Sequence, residues 1–486
     1  MPLSRLNSQR LFRQQCYVGG KWLDARDGKT ISVDNPATGE VIGSIPSLSA
    51  EETDSVIDIA QTAFEQWRSK TALERSDLLM RWYQLMLEHK EDIATLMTLE
   101  QGKPMTESRA EVGYAASFIR WYAEEAPRMY GETIPGAKPG QHIVVTRQPA
   151  GVAAAITPWN FPAAMITRKA GAALAAGCSF IVKPSESTPF TALAMAELAH
   201  EAGIPPGVFN VITGASKIIG KQLTGSPIVR KFSFTGSTGV GSELMAQSAE
   251  HIQKVSLELG GNAPFIVFDD ADLERAVEGA MVCKFRNTGQ TCVCANRILV
   301  QASVHEKFVS LLAKAMGDLK LGDGFEEGVS QSALINHAAV EKVQRHYQDA
   351  MDKGATHVYG ITPDKAQGNF VNPVLITDVT TDMQLCHEET FGPLAAIIKF
   401  DTEAEAIKIA NGTPFGLAAY FYSRDIHRCW RVADALEAGI IGMNEGAISN
   451  PMAPFGGVKA SGLGREGSRH GLEEYTELKY ICMGAE

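Results

Sequence analysis

Two residue types suited to covalent thiol catalysis followed by hydrolysis stand 34 residues apart in mid-chain. They are the carboxylate of Glu258 in Glu258-Leu259-Gly260-Gly261 and the cysteine of Gly289-Gln290-Thr291-Cys292-Val293-Cys294. A thiolate can add to a carbonyl carbon, and a carboxylate can deprotonate the water that later releases the product. Gly289 permits an unusual backbone just before the cysteine. By residue type alone, the same pair also fits a small buried thiol and an ion-paired acid, the commoner fates of Cys and Glu.

Any elements that position this pair belong to a chain of 486 residues, long enough for about two or three domains. The hydrophobic content is 45% and the charged content 21%, ordinary for a globular protein. No apolar run reaches the ~18 residues of a membrane span, so a membrane role is not expected. A net charge of -11 gives no electrostatic reason to bind nucleic acid. The eight cysteines are sparse and irregularly spaced, which points to a reducing compartment, the cytoplasm before the mitochondrial matrix. The first fifteen residues carry Arg5, Arg10 and Arg13 without an acid, a weak transit-peptide pattern read here as an ordinary exposed terminal segment.

Tyr17 to Trp22 is a hairpin candidate, and Ser49-Ala50-Glu51-Glu52 has the form of a capping box opening a helix. Helical periodicity continues over Leu73 to His89, Asp92 to Gln101 and Thr106 to Glu124. After a Pro- and Gly-rich break, Ile143-Val144-Val145 reads as a strand; with Tyr475 to Met483 it could serve one sheet or a subunit contact. From Gly151 short apolar strands alternate with helices: Val152 to Ile156, Phe180 to Val182, Phe209 to Ile212, Lys231 to Phe234 and Pro264 to Phe268. This is the pattern of a doubly wound parallel sheet that binds a nucleotide or dinucleotide beyond its carboxyl strand ends. Further strands at Arg297 to Val300, Ala395 to Phe400 and Ala418 to Tyr422 predict a second α/β domain.

Gly214 to Lys221 spaces its glycines wrongly for a P-loop, and Gln222 stands where Ser or Thr would hold magnesium. Gly462-Leu-Gly464-Arg-Glu-Gly467 fits G-x-G-x-x-G but follows no predicted strand, and is expected to be a loop. Better placed is Phe234-Thr235-Gly236-Ser237-Thr238-Gly239, directly after a strand and opening a helix, where free N–H groups can meet a diphosphate. No metal site is expected.

Five motifs in order resemble the aldehyde dehydrogenase superfamily: Thr157-Pro158-Trp159-Asn160-Phe161-Pro162, Phe234 to Ser237, Leu257 to Gly261, Gly289 to Cys292 and Glu389-Thr390-Phe391-Gly392-Pro393. The resemblance implies an α/β fold with a Rossmann-type doubly wound cofactor domain (1–125 and 151–258), an α/β catalytic domain (259–460) and a small β oligomerisation segment (126–150 and 461–486) of a homodimer or homotetramer. It implies Cys292 as nucleophile, Glu258 as general base and Asn160 with the Cys292 N–H as oxyanion donors. Ile156, Trp159, Lys183, Glu186, Gly236, Ser237, Glu389 and Phe391 are the implied cofactor residues. Lys183 and Glu186 would hold the adenosine ribose, and a 2′-phosphate would be repelled by the Glu186 carboxylate, so NAD is expected over NADP. NADP-preferring relatives carry a small residue at that position.

Arg168 and Arg286 lie close in sequence to these motifs and could select an aldehyde with a distal carboxylate, although a single Arg more often makes a structural ion pair. The surrounding segments and Ala447-Ile448-Ser449-Asn450 resemble the succinate-semialdehyde branch of the family, which implies Arg168, Arg286 and Ser449 as carboxylate ligands. Glutarate semialdehyde, one methylene longer, differs by only ~1–3 kcal/mol in an apolar pocket. The same branch implies a redox pair of Cys292 with Cys294, and hence oxidative inactivation. An acylating dehydrogenase and a non-enzymatic scaffold are the rival classes; the hydrolytic base Glu258 argues against the first, and the full set Asn160, Glu258 and Cys292 against the second.

Overall fold

The computed structural model describes residues 2–484, in which two parallel sheets carry the architecture. In the first sheet, Phe209–Val211, Ser179–Lys183, Val152–Ile156, Val229–Thr235 and Lys254–Glu258 run parallel in that spatial order. Numbered along the chain this order is 3-2-1-4-5, so the winding direction switches between Val152–Ile156 and Val229–Thr235. Every residue of Val152–Ile156 and Ser179–Lys183 is buried, as expected for strands covered by helices on both faces. The Cys16–Val18 and Lys21–Leu23 hairpin turns through Gly19 and Gly20, both at positive φ, and adds an antiparallel edge through Tyr17 and Val211.

The second sheet runs Thr356–Tyr359, Val374–Thr377, Leu394–Phe400, Ala295–Gln301, Ala263–Val267, Ala418–Tyr422 and Ile440–Met443, parallel except for its first, edge strand. The apolar run at Pro264 to Phe268, expected in the wound sheet, therefore belongs to the second. Composition cannot distinguish two buried parallel sheets; only pairing does. The strand that closes the parallel part of the first sheet is Lys254–Glu258, whose Lys and Glu ends mask its strand character.

Four helices, Ala50–Trp67, Ala72–Glu88, Lys90–Gln101 and Met105–Glu125, precede the wound sheet. The first opens with the anticipated reciprocal cap: Glu52 N donates to Ser49 Oγ (3.2 Å) and Ser49 N to Glu52 Oε2 (2.9 Å). Thr71 and Glu74 form a second such cap for the next helix.

The two isolated strand candidates find each other. Thr476–Met483 pairs antiparallel along the whole of His142–Pro149, with Glu132–Pro135 on its other side.

The terminal segment is not simply exposed, as its polarity suggested. Leu11 is buried, Arg13 pairs with Glu197 at 2.9 Å, and Arg10 pairs with Glu201 at 2.6 Å. The arginines are complemented by acids on Phe190–Glu201, a long-range pairing invisible in local sequence. The Gly462 to Gly467 segment is likewise more than a loop. Gly462–Leu463 is a short strand antiparallel to Leu257 and Glu258. Among the described residues, no helix is long and apolar enough to cross a membrane, and no cluster of acids, His and Cys could hold a metal.

Candidate active site

Glu258 ends the fifth parallel strand of the first sheet, and the turn after it runs directly against the cysteine loop. A Cβ on Gly261 would lie 2.7 Å from the Cys292 carbonyl oxygen, so only glycine allows this approach. The cysteine loop is bent by three consecutive residues at positive φ, Asn287, Thr288 and Gly289. At Gly289 (φ +76°) a Cβ would stand 2.3 Å from the Gly392 carbonyl oxygen, which brings the Glu389 to Pro393 segment against the same loop. Cys292 is half-buried and packs on the apolar cluster of the second sheet together with Ile448, the neighbour of Ser449.

Asn160 lies between the first parallel strand and the helix Ala164–Ala176. Its Nδ2 donates to the Gln290 carbonyl at 3.1 Å, and its Oδ1 accepts from Phe161 N at 3.1 Å. An amide nitrogen carries two hydrogens, so the plane is held at the Gln290 carbonyl while one N–H remains uncommitted.

Both carboxylate oxygens of Glu258 are buried and without a hydrogen-bond partner. Burial, then the nearby Glu466 carboxylate, push its pKa well above the ordinary range, against Lys169, Arg168 and Arg465, which lower it. Burial pushes the Cys292 thiol up to about 12, with Glu389 adding to the rise and Arg168 and Arg286 opposing it.

Sequence reasoning missed two members of this charge network. Lys169 Nζ donates to Thr235 Oγ1 (2.6 Å) and to Glu466, and Arg168 Nη1 reaches the second Glu466 oxygen at 3.3 Å. Lys169 and Arg168 are two charges in a helix whose every residue is buried, a signal that such side chains must be paired. Glu466 lay in the glycine segment set aside as a loop.

The two arginines differ in their surroundings. Arg168 is fully buried, donates to Tyr114 Oη at 2.8 Å, and lies over the rings of Phe455 (4.6 Å) and Phe118 (5.0 Å); its Nε alone lacks a partner. The Arg286 guanidinium makes no hydrogen bond or ion pair among the described residues and rests 5.2 Å over Phe161. Ser449 is half-buried in the loop between Met443 and Phe455.

A cleft at the winding switch point is lined by Ile156, Trp159, Lys183, Glu186, Gly236 and Ser216, among others. Lys183 Nζ pairs with Glu186 Oε1 at 2.9 Å, and the same oxygen accepts from Ser216 N and Oγ (3.1 and 2.7 Å). The Glu186 pKa is lowered: burial alone would raise it, but Lys183 and Ser216 outweigh that, so the group is ionised at neutral pH. Ser237 stands at the N-cap of the helix Thr238–Ser248 without a side-chain capping bond, so the first N–H groups of that helix are free for an anion. The Trp159 and Phe391 rings meet edge-on, with centroids 5.5 Å apart, at the end of this cleft nearer the Glu389 segment. Burial pushes Glu389 up to about 8, and its Oε2 lies 3.6 Å from where a Gly260 Cβ would stand. All eight cysteines are free thiols; Cys294 is buried, its Sγ donating to the Lys284 carbonyl at 3.4 Å.

Comparison with known proteins identifies the family. The model of the aldehyde dehydrogenase family matches residues 22–481. A succinate-semialdehyde dehydrogenase (NADP+) of Escherichia coli is 57% identical over 480 residues, covering 99% of this chain and 100% of that one. A glutarate-semialdehyde dehydrogenase of Pseudomonas putida is also 57% identical, covering 99% of both chains. The crystal structure of an E. coli NADP-dependent enzyme superposes with a TM-score of 0.98 at 57% identity, covering 99% of this chain and 100% of that one.

Proposed function

The chain belongs to the aldehyde dehydrogenase family, and from that premise we propose that it oxidises succinic semialdehyde to succinate, with NAD as the preferred acceptor. The Cys292 thiol gives up its proton to solvent and the sulfur adds to the aldehyde carbon. The oxyanion so formed is held by the free Asn160 N–H and the Cys292 backbone N–H. A bound nicotinamide dinucleotide supplies the acceptor for the hydride lost from the thiohemiacetal carbon. The remaining thioester is attacked by a water whose proton goes to Glu258; the C–S bond breaks, and Cys292 leaves as thiolate and is reprotonated. Lys169 and Glu466 lie beside Glu258 and can hold or pass that proton. In this buried, unpartnered position the neutral form of Glu258 costs less than the ion, which agrees with its raised pKa.

The observation that carries the substrate assignment is Arg286. A guanidinium over an aromatic face beside the nucleophile, in the field of the buried Glu107 but without a direct ion pair, is suited to a carboxylate at the far end of a short aldehyde. Arg168 already has Glu466 and so contributes field more than a free fork. Replacing Arg286 by Ala is expected to lower kcat/KM for succinic semialdehyde by about 10²–10³-fold, the usual effect of removing one member of a desolvated charge pair. Activity on propanal should change less than about threefold. Equal losses on both aldehydes would remove the arginine from substrate selection. The similarity to the P. putida protein favours glutarate semialdehyde as the second reading; initial rates with both acids decide between them.

For the dinucleotide, the switch-point cleft fits two phosphates at the free N–H groups after Ser237 and a ribose against Lys183 and Glu186. The ionised Glu186 carboxylate, fixed by Lys183 and Ser216, disfavours a 2′-phosphate. Glu186→Ser is expected to shift the NADP-to-NAD ratio of kcat/KM towards NADP by about tenfold or more, since removing one like-charge contact is worth roughly 1–2 kcal/mol. A wild-type preference for NADP, as carried in the name of the E. coli relative, would overturn the role given to Glu186.

A further inference from the structure

Besides the Asn160 amide itself, the loop carrying Cys292 and the loop carrying Asn160 are joined by a side chain to which no role has been given, that of Asn287. Asn287 Nδ2 donates to the Asn160 carbonyl at 3.0 Å and to the Gln290 carbonyl at 3.2 Å. The Gln290 oxygen is also the acceptor that fixes the Asn160 side-chain amide. From the other side the Asn160 carbonyl accepts from Lys103 Nζ at 2.6 Å. Lys103 is buried and paired with Glu111 at 2.5 Å, and the second Glu111 oxygen accepts from Ala163 N and Ala164 N (3.0 and 3.3 Å) at the start of the following helix.

The backbone at this clamp is unusual. Asn287 (φ 53°) and Thr288 (φ 55°) are both left-handed without being glycine, a costly conformation held only where the surroundings impose it. Here Asn287 N donates to Glu107 Oε2 at 2.8 Å, and the Thr288 hydroxyl bonds to the Ser332 backbone (3.0 and 3.2 Å). The strain lies five residues before the nucleophile, and these bonds hold the backbone from which the Asn287 side chain extends.

We propose that Asn287, backed by the buried Lys103 and Glu111 pair, is a positioning residue for the oxyanion hole. It clamps the two loops so that the Asn160 amide and the Cys292 N–H converge on one point. The inference rests on the proposed use of those two donors and deepens it. Donors aimed at a developing charge act only when correctly placed, and a misplacement of about 1 Å can cost on the order of 10²-fold in rate. Asn287 itself touches neither substrate nor cofactor.

Asn287→Gly keeps the left-handed backbone and deletes the clamp. The rate of hydride transfer in the first turnover is expected to fall about 10- to 100-fold. The KM for aldehyde and the affinity for NADH, read by its fluorescence on binding, should stay within about threefold, since neither uses the clamp. Alkylation of Cys292 by iodoacetamide, a displacement that develops no oxyanion, should proceed at the wild-type rate. The double variant Lys103→Met with Glu111→Gln removes the backing pair together, leaves Glu107 with the Asn287 N–H and Arg286, should act in the same direction, and decides the matter if Asn287→Gly does not fold. Alkylation that slows in step with turnover would mean that Asn287 only holds the cysteine loop together, and would overturn the proposal. Unchanged hydride transfer would do so as well. Asn160→Ala separates the layers: a wild-type rate there removes the oxyanion assignment itself, whereas a slow Asn160→Ala beside a wild-type Asn287→Gly removes only the clamp.

Discussion

Cys292→Ala is expected to lower aldehyde oxidation by at least about 10⁴-fold, because every covalent step passes through this sulfur and removing a nucleophile typically costs several orders of magnitude. The fold should survive. Cys292 is half-buried at the edge of the second sheet's apolar cluster, so losing Sγ costs no more than about 1–2 kcal/mol of stability. NADH affinity should be retained, since the switch-point cleft does not include this side chain. The check is to measure turnover, thermal unfolding and NADH binding on the same preparation. A variant that still reduces NAD at even a tenth of the wild-type rate would end the thiol mechanism.

Glu258→Gln is expected to split the reaction in two. Addition and hydride transfer should still occur once, giving a burst of close to one NADH per active site. Steady-state turnover should then fall by about 10²–10⁴-fold, the usual contribution of a general base. Mass spectrometry of the quenched variant should find the acyl group on the peptide containing Cys292. The pH dependence has a definite sign. A raised pKa means that Glu258 is protonated and unable to accept a proton below it, so the deacylation rate should climb with pH and level off only above the ordinary carboxylate range. In Glu258→Gln that climb should vanish. The absence of a burst, or the same pH profile in variant and wild type, would show that another group activates the water; Glu466, the acid nearest to it in the charge network, would be the first to test.

These effects meet in one small volume, and the sequence makes some of them legible. The Ser49 cap, the short strands from Val152 to Thr235 and the positive-φ hairpin at Gly19 and Gly20 are written in local patterns of two to four residues, and the folded chain forms them within a residue or two. Cys292 and Glu258 are singled out by the resemblance of their motifs to the family, and the glycines in those motifs, Gly261 and Gly289, are required by the contacts their loops make. A Cβ at either would strike a backbone oxygen, and that requirement leaves a glycine in the sequence.

Pairings between distant segments were decided only by the tertiary structure. Whether Ala263–Val267 joins the first or the second sheet depends on its neighbours, since an apolar run satisfies both equally. Glu466 lies 297 residues from Lys169, in a glycine-rich segment with no helical or strand period, and its role follows from the fold that brings it against the Ala164–Ala176 helix. The two arginines looked equivalent in sequence. Packing gave Arg168 a direct ion pair with Glu466 and left Arg286 without one, and that difference, set by which elements pack together, underlies the carboxylate-binding role proposed for Arg286. Local chemistry thus determined which residues could react, while long-range packing determined which of them are charged, which are paired, and which remain open to a substrate.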